Sequence, residues 1–224
     1  MLRIRSRTFK VSAAVLIAPA VLCALLAVVP APPTPLMVLR AVDGAAMERK
    51  WVPIEKISTR LQAAVMAAED SRFCEHFGFD ADAVIKAWRG NTSGRAQTLR
   101  GGSTITQQTV KNVFLWPARS WLRKGLEAWL TVYAEAIWTK RRTFEIYLNV
   151  VEWGDGVYGA EAAARRHFGK SANALTADEA ARLAAILPSP RRWSAATPGP
   201  YVSQRTATIR ARAADLGPRL DCIQ

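Results

Sequence analysis

The chain has 224 residues, half of them apolar, and a formal charge of +13 from 31 Lys and Arg against 18 Asp and Glu. That composition argues against a disordered chain and leaves room for one domain of ordinary size with a short appendage. The positive excess favours anionic partners, yet no aromatic-interleaved basic run, helix-turn-helix or zinc-finger spacing speaks for nucleic acid. Cys23, Cys74 and Cys222 are too few and too scattered for a disulfide framework. A Cys74–Cys222 bridge stays open in an oxidising compartment, although nothing in the sequence requires it.

Residues 1–10 carry Arg3, Arg5, Arg7 and Lys10 and read as a cytoplasmic basic segment. From Val11 to Val29 no charge occurs. A helix over those positions, rising ~1.5 Å per residue, spans roughly 28 Å, close to the hydrocarbon core of a bilayer. The reading is a retained single-pass anchor over 11–29. Its rival is a cleavable signal peptide, with Val29 and Ala31 placed for the peptidase and Pro32 against it. The basic flank puts the amino terminus in the cytoplasm and the rest of the chain outside. Residues 30–38, rich in proline, read as a stiff extended linker, and 39–224 as one domain.

Helical signals dominate that domain, and the predicted class is all-α. Ser58 caps a helix through Ala68, and Asp80 and Asp82 open another with Val84, Ile85 and Trp88 apolar. A third starts near Ser103. The longest runs from Ser120 to Thr139, with Leu122, Leu126, Trp129, Leu130, Tyr133 and Ile137 forming an apolar stripe. Further helices are predicted over 143–150, 159–167, 176–187 and 200–215, with Thr176 and Glu179 as a capping box. Glycine-rich loops fall at 90–102 and 153–159, and continuous β-alternation is missing.

Four strings carry polar groups in patterns that suit chemistry. EDSRFCEHFG, Glu69 to Gly78, sets carboxylates at the end of an apolar helix, where partial desolvation raises an acid toward the range of a general base. The plain alternative is a cap at Asp70 and a solvated Glu69. RGGSTITQQTVKN, Arg100 to Asn112, combines glycines, hydroxyls at a helix start and Lys111, which suits phosphate, or is simply a polar capped helix. It is not a Walker loop, so no nucleotide is implied. RKGLE, Arg123 to Glu127, places Arg123 and Glu127 on one helix face, as a solvated ion pair also would, with Arg119 upstream. KRRTFEIYLN, Lys140 to Asn149, offers Glu145 and Tyr147 as scaffold. The DAD at Asp80 to Asp82 resembles the metal-binding DxD of nucleotide-sugar transferases, but a helix start makes capping the better reading.

In order and spacing these strings resemble the family 51 glycosyltransferases, the peptidoglycan polymerases. The pattern EDxxFxxHxG is met by Glu69, Asp70, Phe73, His76 and Gly78, and GGSTITQQ by Gly101 through Gln108. RKxxE is met by Arg123, Lys124 and Glu127, and KxxxxExYLN by Lys140, Glu145, Tyr147, Leu148 and Asn149. The stretch Glu152 to Lys170 resembles the single-function members, and the likeness covers about Lys56 to Trp193 plus the anchor. Thr143 and Phe144 depart from the usual isoleucine and leucine, and Cys74 fills a variable position. Bifunctional members add a transpeptidase domain with a KTG element; this chain has no KTG and ends before such a domain would fit.

The resemblance implies a lysozyme-like helical fold and an inverting polymerase. Its donor would be a glycan on undecaprenyl pyrophosphate, its acceptor lipid II, and its product β-1,4 MurNAc-GlcNAc bonds, with no transpeptidase activity. Glu69 would be the general base for the acceptor hydroxyl, a role worth roughly 10²–10⁴ in rate. Lys111 and Arg119 would take the donor's pyrophosphate, and Ser103, Gln107 and Gln108 the sugars. Asp70, Phe73, His76, Gly102, Thr104, Arg123, Lys124 and Asn149 complete the expected substrate-binding set. Glu127, the second catalytic glutamate, would either hold a divalent cation (Mg or Mn) or position Arg123 and Lys124. The implied setting is the bacterial inner membrane with a periplasmic catalytic domain, and cell-wall synthesis or division proteins are candidate partners. Two other classes compete: a lysozyme-like hydrolase or lytic transglycosylase, and a non-catalytic scaffold for the wall machinery.

Overall fold

Short polar side chains mark where the helices begin. The computed structural model describes residues 16–85, 102–118 and 120–224. Ser58 accepts from the Arg60 N–H to open α3 (Thr59–Glu69), following α1 (16–28) and α2 (Pro35–Val42). Asp80 caps α4 (81–85) by accepting from Ala83; residues 86–101, which include Trp88 and most of the glycine-rich 90–102 stretch, lie outside the described residues. Thr104 and Gln107 cap α5 (Ile105–Phe114) reciprocally. Ser120 caps α6 (Trp121–Ile137), and Thr139 caps α7 (Lys140–Val150). Then follow α8 (Ala160–Phe168), α9 (Ala177–Ile186) behind the expected Thr176–Glu179 box, and α10 (Pro200–Ala214) with proline in its first turn. Each such cap satisfies backbone N–H groups that have no partner inside the helix.

The domain is mostly helical, as expected, with two local differences. The run expected to be an extended linker over 30–38 turns helical at Pro35, because Thr34 caps it, proline fits the first turn and Met37 is buried. One helix therefore joins the expected linker to the domain. The second difference is a small sheet: β1 (Glu48–Arg49) pairs parallel to β3 (Val157–Tyr158), which pairs antiparallel to β2 (Glu152–Gly154). Strands of two or three residues are too short to show alternation in a sequence. Gly156, at φ +71, closes the turn between β2 and β3, where a Cβ would lie 2.0 Å from the Ala46 carbonyl oxygen.

Two apolar clusters meet at α7. One surrounds α3, which is buried from Leu61 to Ala67, and includes Leu183 and Ile186 of α9, Val202 and Ile209 of α10, and Phe144 and Tyr147 of α7. A helix covered on nearly all sides is a core element, which fixes its last residue, Glu69, relative to everything around it. The other cluster joins Val110 of α5, Leu130 and Ala134 of α6 and Ile146 and Val150 of α7 to Cys23 and Leu26 of α1.

The end of α1 is tied down by polar contacts as well. Trp138 Nε1 donates to the Cys23 carbonyl at 2.7 Å, and Arg142 Nε to that of Leu26 at 2.9 Å. The Arg142 guanidinium also reaches the Val29 carbonyl and lies over the Trp51 ring. Arg142 thereby satisfies carbonyls at the helix end, where they lack a partner within the helix, while Trp138 adds a contact one turn earlier. Among the described residues no helix is long and apolar enough to cross a membrane. The expected span starts at Val11, and residues 11–15 lie outside those described.

Cys74 and Cys222 form a disulfide, their Cα atoms 5.7 Å apart and 148 residues apart in sequence. It joins the turn after α3 to the carboxy-terminal tail, whose Ile223 carbonyl also accepts from Arg141 Nη1 at 2.6 Å. Closing so long a loop restricts the unfolded chain strongly. Cys222→Ser should lower unfolding stability by about 2–5 kcal/mol, measured by denaturant titration without reductant. Reductant should destabilise the wild-type protein and leave the variant unchanged.

Candidate active site

Glu69 ends α3 with its side chain partly open, at 16% exposure. Its Oε2 accepts from Gln108 Nε2 at 3.0 Å, and Gln108 is itself held by the Tyr147 hydroxyl, which donates to Oε1 at 3.3 Å. Arg205 Nη2 of α10 stands 3.9 Å from Glu69 Oε1. Burial pushes the Glu69 carboxyl above its ordinary value; the Gln108 hydrogen bond and the charges of Arg205 and Lys111 pull it down, and Asp70 pushes it up. This is the environment of an acid with strengthened basicity. Burial likewise lowers Lys111, with Glu127 the strongest force restoring its charge and Arg123 and Lys124 opposing it. Tyr147 is held well above its usual value, by burial first and then by Glu69 and Asp70, so it stays a hydroxyl donor.

A second group of charges sits on α6. Glu127 is 2% exposed, and each of its carboxylate oxygens has a cation: Arg123 Nη1 at 2.6 Å on Oε2 and Lys124 on Oε1. Lys124 Nζ also donates to Ser103 Oγ at 3.0 Å, which ties α6 to the start of α5. Trp121 and Leu122 are exposed beside these cations. Lys111 lies within electrostatic range of both Glu69 and Glu127 and so links the two groups. Arg119 lies outside the described residues.

Several residues of the expected substrate-binding set make contacts inside the fold. Phe73 has no exposed surface and packs 5.7 Å from Phe144, with Lys140 Nζ 4.7 Å over its ring. Asp70, 8% exposed, accepts from the Ile105 N–H at 3.0 Å and lies 3.0 Å from His76 Nε2. Thr104 donates to the Gly78 carbonyl at 2.7 Å while capping α5, and Gln107 completes that cap. Asn149 is fully buried and clamps Val52 through both its N–H and its carbonyl. Gly102 packs its backbone against Val84, where a Cβ would meet the Val84 Cα at 3.2 Å. Gly78, at φ +73, has no room for a Cβ either, which would stand 2.6 Å from Thr131 Cγ2. These residues shape the site from behind.

The residues present offer a divalent cation little. Both Glu127 oxygens already carry a cationic partner, so a metal there would have to displace Arg123 or Lys124. Asp70, His76 and Asp80 offer ligand atoms within 4.8 Å of one another. Asp70 and Asp80, however, already accept backbone N–H groups, and the Arg72 guanidinium stands 3.4 Å from Asp80. That contact to Ala83 agrees with the capping reading of Asp80.

Sequence reasoning missed Glu135 and Arg205, and the structural role of Lys140. Glu135 accepts from Thr106 Oγ1 at 2.5 Å and pairs with Lys140 at 3.0 Å, while Lys140 also donates to the His76 carbonyl at 2.6 Å. Lys140 was legible as part of a motif but not as the pin of the 70–79 turn. Arg205 belongs to none of the strings and lies among other arginines on a surface helix, so no pattern singles it out.

Comparison with known proteins places the chain in a family. The family model described as Transglycosylase matches residues 35–214. The chain is similar to proteins named biosynthetic peptidoglycan transglycosylase. It is 58% identical to that of Caulobacter vibrioides over 81% of this chain and 78% of the relative. It is 55% identical to that of Rhodospirillum centenum over 93% and 91%, and 51% identical to that of Pseudomonas aeruginosa over 94% and 93%.

Burial of Glu69 has a measurable linkage. Its folded-state acidity is weaker than in the unfolded chain, so its contribution to stability is present below the unfolded value and is lost as pH rises through the folded one. Glu69→Gln removes that loss. The melting temperature of the variant minus that of wild type should therefore increase between pH 4 and pH 8; a constant difference would contradict the assigned environment.

Proposed function

The chain belongs to the transglycosylase family and is a peptidoglycan glycosyltransferase, and from that premise we propose that it polymerises lipid II by inverting glycosyl transfer. The donor is a glycan on undecaprenyl diphosphate. The acceptor's GlcNAc 4-hydroxyl attacks C1 of the donor's MurNAc, Glu69 takes the hydroxyl proton, the α-linked diphosphate leaves, and a β-1,4 bond forms. One observation carries this reading: a partly buried carboxylate whose pKa burial raises, held on one oxygen by Gln108, shares its site with Lys111. A hydroxyl needs a positioned base, and a departing diphosphate needs fixed cations.

Lys111 is the cation we assign to the diphosphate. Burial weakens its hold on a proton, so an arriving polyanion strengthens that charge where it is needed. Arg119 joins it on sequence grounds alone. Glu127 acts as an organiser, holding Arg123 and Lys124 and through Lys124 the Ser103 hydroxyl. Gln108 orients Glu69 and Ser103 faces the sugars. Each Glu127 oxygen has a cationic partner, so Mg or Mn would bind there only by displacing Arg123 or Lys124. The cations beside Glu69 fit a charged leaving group better than hydrolysis does, which weighs against a lytic enzyme. A transpeptidase activity finds no KTG element in the chain.

Residues 11–29 are proposed to anchor the chain in the inner membrane, with the domain on the outer face. The basic residues before that apolar stretch support this orientation, and the Cys74–Cys222 bridge supports an oxidising compartment.

Labelled lipid II tests the proposal. Wild-type protein should lengthen it into glycan and leave finished peptidoglycan intact, and Glu69→Gln should lower the rate by at least about 10²-fold while still binding the lipid. Full activity in that variant would remove the base. Lys111→Ala should weaken donor binding more than acceptor binding; equal loss in both would displace the assigned diphosphate site.

A further inference from the structure

Arg205 has a place beside Glu69 that none of the motif strings explains. It stands in the second turn of α10, and its Nε donates to the Ala185 carbonyl at 3.2 Å, in the last turn of α9. That contact fixes the guanidinium against the open end of a neighbouring helix, where a cation is favoured. Its Nη2 then reaches toward Glu69 Oε1 and stops at 3.9 Å. The side chain keeps 27% exposure, so it borders the site without being sealed beneath it.

The separation matters chemically. At 3.9 Å the guanidinium stabilises a negative charge through space but does not occupy a lone pair of Oε1 with a hydrogen bond. The other oxygen, Oε2, is taken by Gln108, which is neutral and therefore orients without supplying charge. The remaining groups near Glu69 are Lys111 from α5, Asp70 next in the chain and the Tyr147 hydroxyl from α7. Asp70 opposes ionisation, Tyr147 adds no positive charge, and Lys111 is shared with Glu127. Among the described salt bridges Arg205 is thus the cation within 4 Å of Glu69, and it pairs with no other carboxylate there.

We propose that Arg205 is a positioning residue that keeps Glu69 ionised while leaving Oε1 free to accept the acceptor's proton. This rests on the reading of Glu69 as the base. A base poised this way works at lower pH than burial alone would allow, because protonated Glu69 cannot take a second proton.

The test is the pH dependence of kcat/KM for lipid II polymerisation in the full-length protein, comparing wild type with Arg205→Gln and Arg205→Lys. Glutamine keeps a donor for Ala185 but no charge; lysine keeps charge without the fork. Arg205→Gln should move the acidic limb upward by about one unit, a roughly tenfold lower rate on that limb, and approach wild type at high pH. Arg205→Lys should recover most of the shift. A loss of equal size at every pH, or an unmoved limb, would overturn the proposal, as would a lysine variant no better than glutamine. Thermal melts of both variants report any loss of fold separately. Glu69→Gln run alongside separates the two readings: if it is inactive while the Arg205→Gln limb stays fixed, only the role of Arg205 fails; if it still polymerises, both fail.

Discussion

Asp70 accepts the first backbone N–H of α5 and lies against Nε2 of His76, so the turn after α3 and the helix that carries Gln108 and Lys111 share one buried group. The residue before it is Glu69. A shift of α5 away from Asp70 would carry Gln108 and Lys111 away from Glu69, and the anion at the start of α5 is also where a helix favours negative charge. The same turn is held from other sides by Thr104 on the Gly78 carbonyl and by Lys140 on that of His76. The alignment of Glu69 and Lys111 therefore depends on contacts made by residues packed behind them.

Around that joint the two glutamates receive opposite treatment. Glu127 is almost fully buried, and each oxygen has a cation of its own. Removing one partner of such a buried arrangement leaves an uncompensated charge, so it behaves as a fixed structural unit. Glu69 has one neutral hydrogen-bond donor and a guanidinium held at a distance. It is left under-compensated, and its raised pKa is the consequence. Active sites accept this kind of instability because a fully satisfied carboxylate would be a poor base.

Much of this was legible in the sequence, for physical reasons that differ by residue. Ser58, Ser120 and Thr176 announced helix starts because capping is local chemistry, whereas Thr139 reads in the sequence as a helix end and caps α7 in the structure. The motif strings named Glu69, Gln108, Lys111 and the α6 cluster, and the structure brings these together. What the strings did not reveal was which members face inward. Phe73, Asn149 and Asp70 belong to the same patterns as Glu69, and only packing separates a residue that supports the site from one that lines it. Helix α2 was hidden by its prolines, whose usual message is an extended chain, although one of them suits a first helical turn. The sheet was hidden by its brevity, and Arg205 by the distance in sequence between α10 and α3.

The cross-link between Cys74 and Cys222 makes everything from one to the other a single covalent ring. A protease that cuts any one peptide bond inside that ring opens it without releasing a piece. Nicked and intact molecules therefore migrate at the same mass under non-reducing conditions, and the break becomes visible only after thiol treatment. In an envelope exposed to proteases, one scission leaves the α10 segment still attached to the turn behind Glu69.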